Sequence, residues 1–151
     1  MTLKSVLKKK SLGVLVHPSS LPSGSYCGTF GKGAKDWIKK LSQHKINFWQ
    51  FLPLTPTDST GSPYSSPSSF ALNPWFLDTN ILIEKGYILL TNKDEFKQSN
   101  QNTDHFDFDI ANNLSKKLGD YLFISWEYQS EERKNDFYIW NEKNIWVENY
   151  S

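Results

Sequence analysis

Two short apolar runs separated by one amphipathic stripe constrain this chain most. Leu12 to Val16 is a continuous run of β-favouring residues that stops at His17-Pro18, which predicts a strand buried on both faces. A glycine-rich turn follows, Gly24 to Gly33. Ala34, Trp37, Ile38 and Leu41 then fall at i, i+3, i+4 and i+7, the stripe of an amphipathic helix. A second strand-like run, Phe48 to Leu54, is halted by Pro53 and Pro56. Strand, helix, strand in close succession is a βαβ unit. Its two strands are expected to run parallel, joined by a right-handed crossover.

The stretch FLPLTPTDSTGSPYSSPSSFALNP, Phe51 to Pro74, follows directly on the second run and contains five of the seven prolines. It is thus expected at the carboxyl end of a parallel strand, where α/β folds place their binding sites. Proline fixes its own φ and pushes the preceding residue into an extended form. Pro56, Pro63, Pro67 and Pro74 therefore act as stiffeners, and a stiff loop can hold Tyr64 in one place. A flexible linker has no use for Tyr64, Phe70 or Leu72.

Beyond the loop the pattern is helical. Asp78 or Thr79 is placed to cap a short helix ending near Gly86, and Asn92 and Glu95 have capping-box spacing for another. Ile110, Leu114, Leu118, Tyr121 and Leu122 mark a longer helix. Phe137, Trp140, Ile145, Trp146 and Tyr150 keep a helical rhythm to the end. The stretch from Asn92 to Asp104 is polar and reads as a mobile surface segment. The last helix has no terminator, and two parallel strands would leave unpaired edges. The chain is accordingly expected to be the front part of something larger.

The 151 residues suit one ordinary domain, and the formal net charge of +1 lacks the basic stripe of a nucleic-acid binder. The run after the basic start is too short for a signal-peptide core or a bilayer span. Cys27 is the single cysteine, so no intrachain disulfide is possible. A soluble cytoplasmic protein with no nucleic-acid or membrane partner is the expectation.

Several motifs invite chemistry and lose to plainer readings. With Gly31-Lys32 as the Gly-Lys of a phosphate loop, the first glycine would stand at Tyr26, and Gly33 replaces the required Ser or Thr. A tight turn suffices. His17, His44 and His105 are too widely spaced for a metal site; His44 suits a helix end and His17 the end of the first strand. Cys27 lacks an evident base. Asp104, Asp107 and Asp109 precede a helix, where capping is the natural use. Trp and Tyr are platforms for sugar rings. Trp37 and Trp49 are expected in the core, whereas Tyr64 and Trp75, flanking the stiff loop, are candidates for a ligand wall.

Four ordered motifs carry a resemblance to a known family. GVLVHPSSLPSG, FWQFLPLTPT, GSPYSSPSSFALNP and WVENYS together resemble the amino-terminal part of the amylomaltase, or disproportionating enzyme, family of 4-α-glucanotransferases. The resemblance covers essentially the whole chain from Leu12 onward. It implies an α/β fold, the first strands of a (β/α)₈ TIM barrel plus the start of a helical insertion subdomain. Residues 1–11 would be a basic N-terminal segment and 12–78 the first two β/α units with a glucan-cleft loop. Residues 79–151 would be the incomplete helical subdomain.

The resemblance also implies retaining glycosyl transfer between α-1,4-glucans or maltooligosaccharides, with neither metal nor organic cofactor. A carboxylate attacks the anomeric carbon, a second carboxylic acid protonates the departing sugar, and another glucan accepts the glycosyl unit. In the family these carboxylates come from later strands, and no Asp or Glu of this sequence matches them. A missing C-terminal portion would be the chain's partner. Ser62 and Tyr64 match the family's sugar-contacting Ser-Pro-Tyr motif, and His17 and Asn73 match its His-Pro and Asn-Pro motifs as further substrate-binding candidates. Asp58 to Gly61, DSTG, departs from the family's usual Gly-Tyr-Gly-Asp. A non-catalytic α-glucan-binding protein is the alternative from another class. A third is a fragment that folds poorly alone, melting broadly.

Overall fold

A computed structural model describes residues 10–22, 27–96 and 106–148. Strand β1 is Gly13–Leu15 and β2 is Phe48–Gln50; they pair in parallel, with Gly13 opposite Phe48, Val14 opposite Trp49 and Leu15 opposite Gln50. Helix α1, Lys32–Gln43, forms the crossover, as the strand–helix–strand pattern predicts. The Trp49 indole donates to the Val16 carbonyl at 2.7 Å and fastens the end of β1 to β2.

The strands differ from expectation in burial. Leu15 is 54% exposed, and Leu12, Phe48 and Phe51 are also exposed. An apolar strand is buried only by what packs on it. Among the described residues each strand has a single neighbour, and the two together form a two-stranded sheet. Along α1, Ala34 and Leu41 are buried and Trp37 half-buried, whereas Ile38 lies outside.

The glycines of the first turn serve close approach. A Cβ on Gly28 would stand 2.1 Å from the Pro18 carbonyl oxygen, and one on Gly31 would stand 1.7 Å from Asp78 Oδ2. Gly28 lets the turn press on the 3₁₀ turn Pro18–Ser20, and Gly31 admits a carboxylate. That carboxylate joins two elements. Asp78 Oδ1 accepts from the Ile81 amide at 3.0 Å, capping helix α2, Thr79–Glu84, while Oδ2 accepts from the Thr29 hydroxyl at 2.7 Å.

Helix α3 is Lys93–Phe96, α4 is Phe108–Ser125 and α5 is Glu131–Glu142, with 3₁₀ turns at Trp126–Tyr128 and Ile145–Val147. Asp107 caps α4 by accepting from the Ile110 amide, as its place before an apolar-periodic run predicts. Asn92 and Glu95 do meet, but the Asn92 amide donates to the Glu95 carboxylate. The reciprocal backbone bonds of a capping box are replaced by that side-chain bond. The readings made for Tyr26, Asp104, His105 and Tyr150, and most of the polar stretch beyond Asn92, lie outside the described residues.

Two apolar clusters hold these elements. Cys27, Trp75, Phe76 and Ala111 form one, joined by Leu54, Phe108 and Leu114, so the exit of loop 51–74 is packed onto α4. Ile88, Phe96 and Leu118 form the other, with Leu82, Ile83, Tyr121 and Leu122 around it. Fully burying a side chain of this size contributes roughly 1.5–3 kcal/mol.

Candidate functional site

Loop 51–74 leaves the carboxyl end of β2 and is fixed at its base by two side chains. The His17 ring accepts from the Ser19 hydroxyl at Nδ1, 2.8 Å, and Nε2 faces the Pro53 carbonyl oxygen at 3.4 Å. With Nδ1 accepting, Nε2 carries the proton and donates to Pro53, which makes the ring neutral. Burial lowers the His17 pKa, opposed by the bond to Pro53. One strand end is thereby tied to the other. Asn73 is buried and holds the loop's far end: its backbone amide donates to Leu54 O at 3.1 Å and its side-chain amide to Thr55 O at 3.4 Å. Its Oδ1 also accepts from the Trp75 amide at 3.0 Å, capping the 3₁₀ turn Pro74–Phe76. His17 and Asn73 therefore grip the consecutive residues 53 to 55.

The interior of the loop is ordered by short-range bonds from hydroxyls and one carboxylate. Asp58 Oδ1 accepts from the Thr60 amide at 2.9 Å, and Oδ2 accepts from the Ser65 hydroxyl. Hydrogen bonds from Ser65 and then Thr60 hold the Asp58 carboxyl below its ordinary range. The Ser62 hydroxyl oxygen accepts from the Tyr64 amide at 3.3 Å, the Ser66 oxygen from the Ser68 amide at 3.2 Å, and the Ser68 oxygen from Phe70 and Ala71. Serine hydroxyls making such turns substitute for backbone partners the loop lacks. Gly61, at φ +70°, supplies the left-handed bend before Ser62.

This scaffold turns its apolar side chains outward. Tyr64 is 75% exposed, and Phe70 and Leu72 are almost equally so. Ser62 is half-buried and stands beside Tyr64 through the bond just described. The four residues singled out from sequence thus fall into two pairs, Ser62 and Tyr64 on the loop's outer turn and His17 with Asn73 at its base. Asp58 is the loop's single carboxylate, and both its oxygens are engaged. The loop accordingly offers hydroxyls and an aromatic face for binding, with neither a free nucleophile nor an acid–base pair. Among the described residues no group of His, Cys, Asp and Glu could hold a metal ion.

Trp75 is corrected by the structure. It was expected to wall a ligand site, yet it is 6% exposed, with its indole N–H donating to Asn112 Oδ1 at 3.0 Å and its ring packed on Phe106 and Phe108. Proximity to the loop in sequence did not fix the direction of the side chain. Cys27 is buried beside it, and burial pushes the thiol up to about 12. It is a core residue, inert as a nucleophile at neutral pH. The residue that sequence reasoning missed is Asp58. Its signal was present in Asp-Ser-Thr-Gly, since an Asp two residues before a Thr is an Asx-turn pattern.

Comparison with known proteins bears on the whole chain. Residues 16–151 match the family model described as 4-alpha-glucanotransferase. The 4-alpha-glucanotransferase of Streptococcus pneumoniae serotype 4 is 45% identical over 82 residues, covering 54% of this chain and 16% of that protein. That of Clostridium butyricum is 34% identical over 138 residues, covering 90% of this chain and 27% of that protein. A solved structure, amylomaltase from Streptococcus agalactiae in complex with acarbose, is similar with a TM-score of 0.83 at 27% identity, covering 94% of this chain and 28% of that one. This chain therefore spans between 16% and 28% of the length of these relatives. The likeness bears out the expected α/β class, with a short parallel pair followed by helices.

Proposed function

The chain belongs to the 4-alpha-glucanotransferase family, and on that premise we propose that loop 51–74 is a wall of an α-1,4-glucan cleft. The activity it serves is transfer of α-1,4-glucan segments between maltooligosaccharides, or the starch or glycogen chains they come from, by a retaining mechanism. β1 and β2 are read as the first two strands of a (β/α)₈ barrel, and the helices after Asp78 as part of an inserted subdomain. The observation that carries the proposal is Tyr64, a ring exposed on a loop whose base is pinned by His17 and Asn73. A sugar ring stacks its C–H face on such a surface, and Ser62 beside it can exchange hydrogen bonds with hydroxyls. His17 and Asn73, whose polar atoms already face protein, hold the base of the wall.

Catalysis needs two carboxyl groups about 5–5.5 Å apart on a shared face. Asp58, committed to Ser65 and Thr60, supplies neither. The proposal therefore assigns substrate binding, not bond cleavage, to these residues. We also propose a cytoplasmic setting, with which the single cysteine accords; among the described residues no helix is long and apolar enough to cross a membrane.

The test is to incubate the purified chain with maltotriose and with maltoheptaose. The expected result is binding of maltoheptaose, weakened about ten-fold by Tyr64→Ala as for loss of one stacked ring, and no glucose or longer oligosaccharide from maltotriose. Sustained disproportionation would place the catalytic carboxylates within these residues and overturn the assignment.

A further inference from the structure

Between the end of α2 and the start of α5 lies an open groove of about 690 Å³ that shares no lining residue with loop 51–74. Its floor is preorganised. Arg133 stacks over the Tyr87 ring at 4.4 Å and donates to the carbonyl oxygens of Lys85 and Gly86 and to Gln129 Oε1. Three of its five N–H groups are thereby committed to protein acceptors, which makes the guanidinium a clamp between the end of α2 and α5. Glu132 and Asp136, which line the same groove, disfavour an anionic ligand by like-charge repulsion.

What the groove presents suits a different ligand. Tyr128 contributes a ring that is 83% exposed, on the 3₁₀ turn that leads into α5. Glu132 and Asp136, four residues apart on α5, contribute exposed carboxylate acceptors along one helix face. Lys85 and Arg133 balance those two carboxylates, so the charged lining sums to zero. A flat aromatic face beside hydrogen-bond acceptors, with no net charge, complements a neutral polyol. Sugar C–H faces pack on the ring while hydroxyls donate to the carboxylates.

We propose that this groove binds a segment of an α-glucan chain, with Tyr128 as the stacking platform and Glu132 and Asp136 as hydroxyl acceptors. The proposal rests on the glucan reading of loop 51–74 and adds a second binding place for the same class of ligand. It is tested by titrating the isotope-labelled chain with maltoheptaose and following backbone amide shifts. Two saturable sets of shifts are expected, one in loop 51–74 and one over residues 125–136. Tyr128→Ala should weaken the second set about ten-fold and leave the first unchanged; Tyr64→Ala should do the converse. Asp136→Asn, a mild exposed change, should weaken the second set by a smaller factor and serves if Tyr128→Ala alters the fold. Shifts confined to loop 51–74, or groove shifts that ignore both Tyr128→Ala and Asp136→Asn, would overturn this proposal alone. No shifts at either place would overturn the glucan reading with it.

Discussion

Inside loop 51–74, beyond the base that His17 and Asn73 pin, the order comes from neighbours in sequence, whereas in the helical region it comes from neighbours in space. The loop places Tyr64, Phe70 and Leu72 outward and is held by hydroxyl and carboxylate bonds reaching from two to seven residues along the chain. The helical region places Leu118, Ile88 and Phe96 inward and is held by apolar contact. The first arrangement gives a defined surface without a core beneath every residue. The second gives stability by withdrawing Leu118, Ile88 and Phe96 from the surface. A binding wall needs the former, because apolar residues used for burial are no longer available to a ligand.

The contrast can be broken most severely from the helical side. Leu118→Ala empties a site that is 2% exposed, and removal of a buried Leu side chain costs about 2–5 kcal/mol. Hydrogen exchange should show α4 and α3 losing protection while amides inside loop 51–74 change little. Equal loss in both regions would mean that the loop depends on the helical core after all.

Asn73→Ala tests the junction between the two regimes. It removes a cap and a bond to Thr55, an effect on the order of 1 kcal/mol. Chemical denaturation should register that loss, and maltoheptaose affinity should fall with it although Asn73 is buried. Unchanged affinity would separate the loop's base from its binding surface.

Acid should divide the loop's supports into two steps. The His17 pKa is depressed, so its contribution is present above the ordinary value of about 6.5 and is lost as pH falls below it. The Asp58 pKa is depressed as well, so its contribution is present above about 3.9 and is lost only as pH falls through the lower folded value. Amide shifts near Pro53 should therefore move first and those of Thr60 and Ser65 later. In Asp58→Asn the later step should vanish and the earlier persist. This is the smallest of the expected effects, since Asp58 is exposed to solvent, and a single merged transition would refute the division.

The parts of the molecule that sequence reading recovered are those decided locally or by simple periodicity. The parallel pairing of β1 and β2 followed from the helix between them; capping was expected of Asp78 or Thr79 and of the group Asp104, Asp107 and Asp109, and Asp78 and Asp107 take those roles. Strand burial was misjudged because Leu12 and Leu15 carry no record of what lies across from them. Trp75 was misjudged for the same reason: Asn112, which takes its N–H, is far along the chain. Asp58 was only half legible: its bond to the Thr60 amide is local, but its second oxygen takes the hydroxyl of Ser65, a partner that no short pattern specifies. The prolines are only part of what shapes the loop: Ser62, Ser66 and Ser68 add short-range bonds that the sequence reading did not assign.

Separation along the chain also sets an order in time. The bonds inside loop 51–74 close segments of only a few residues, and segments that short meet in well under a microsecond by the scale of about 10–100 ns for a ten-residue closure. Gly13 and Phe48 must close 35 residues before β1 and β2 can pair, a slower and entropically costlier event. The turns around Asp58, Ser62 and Ser68 can therefore be sampled while the sheet is still unformed. A nascent chain would carry much of this loop's contour ahead of the frame that later fixes it.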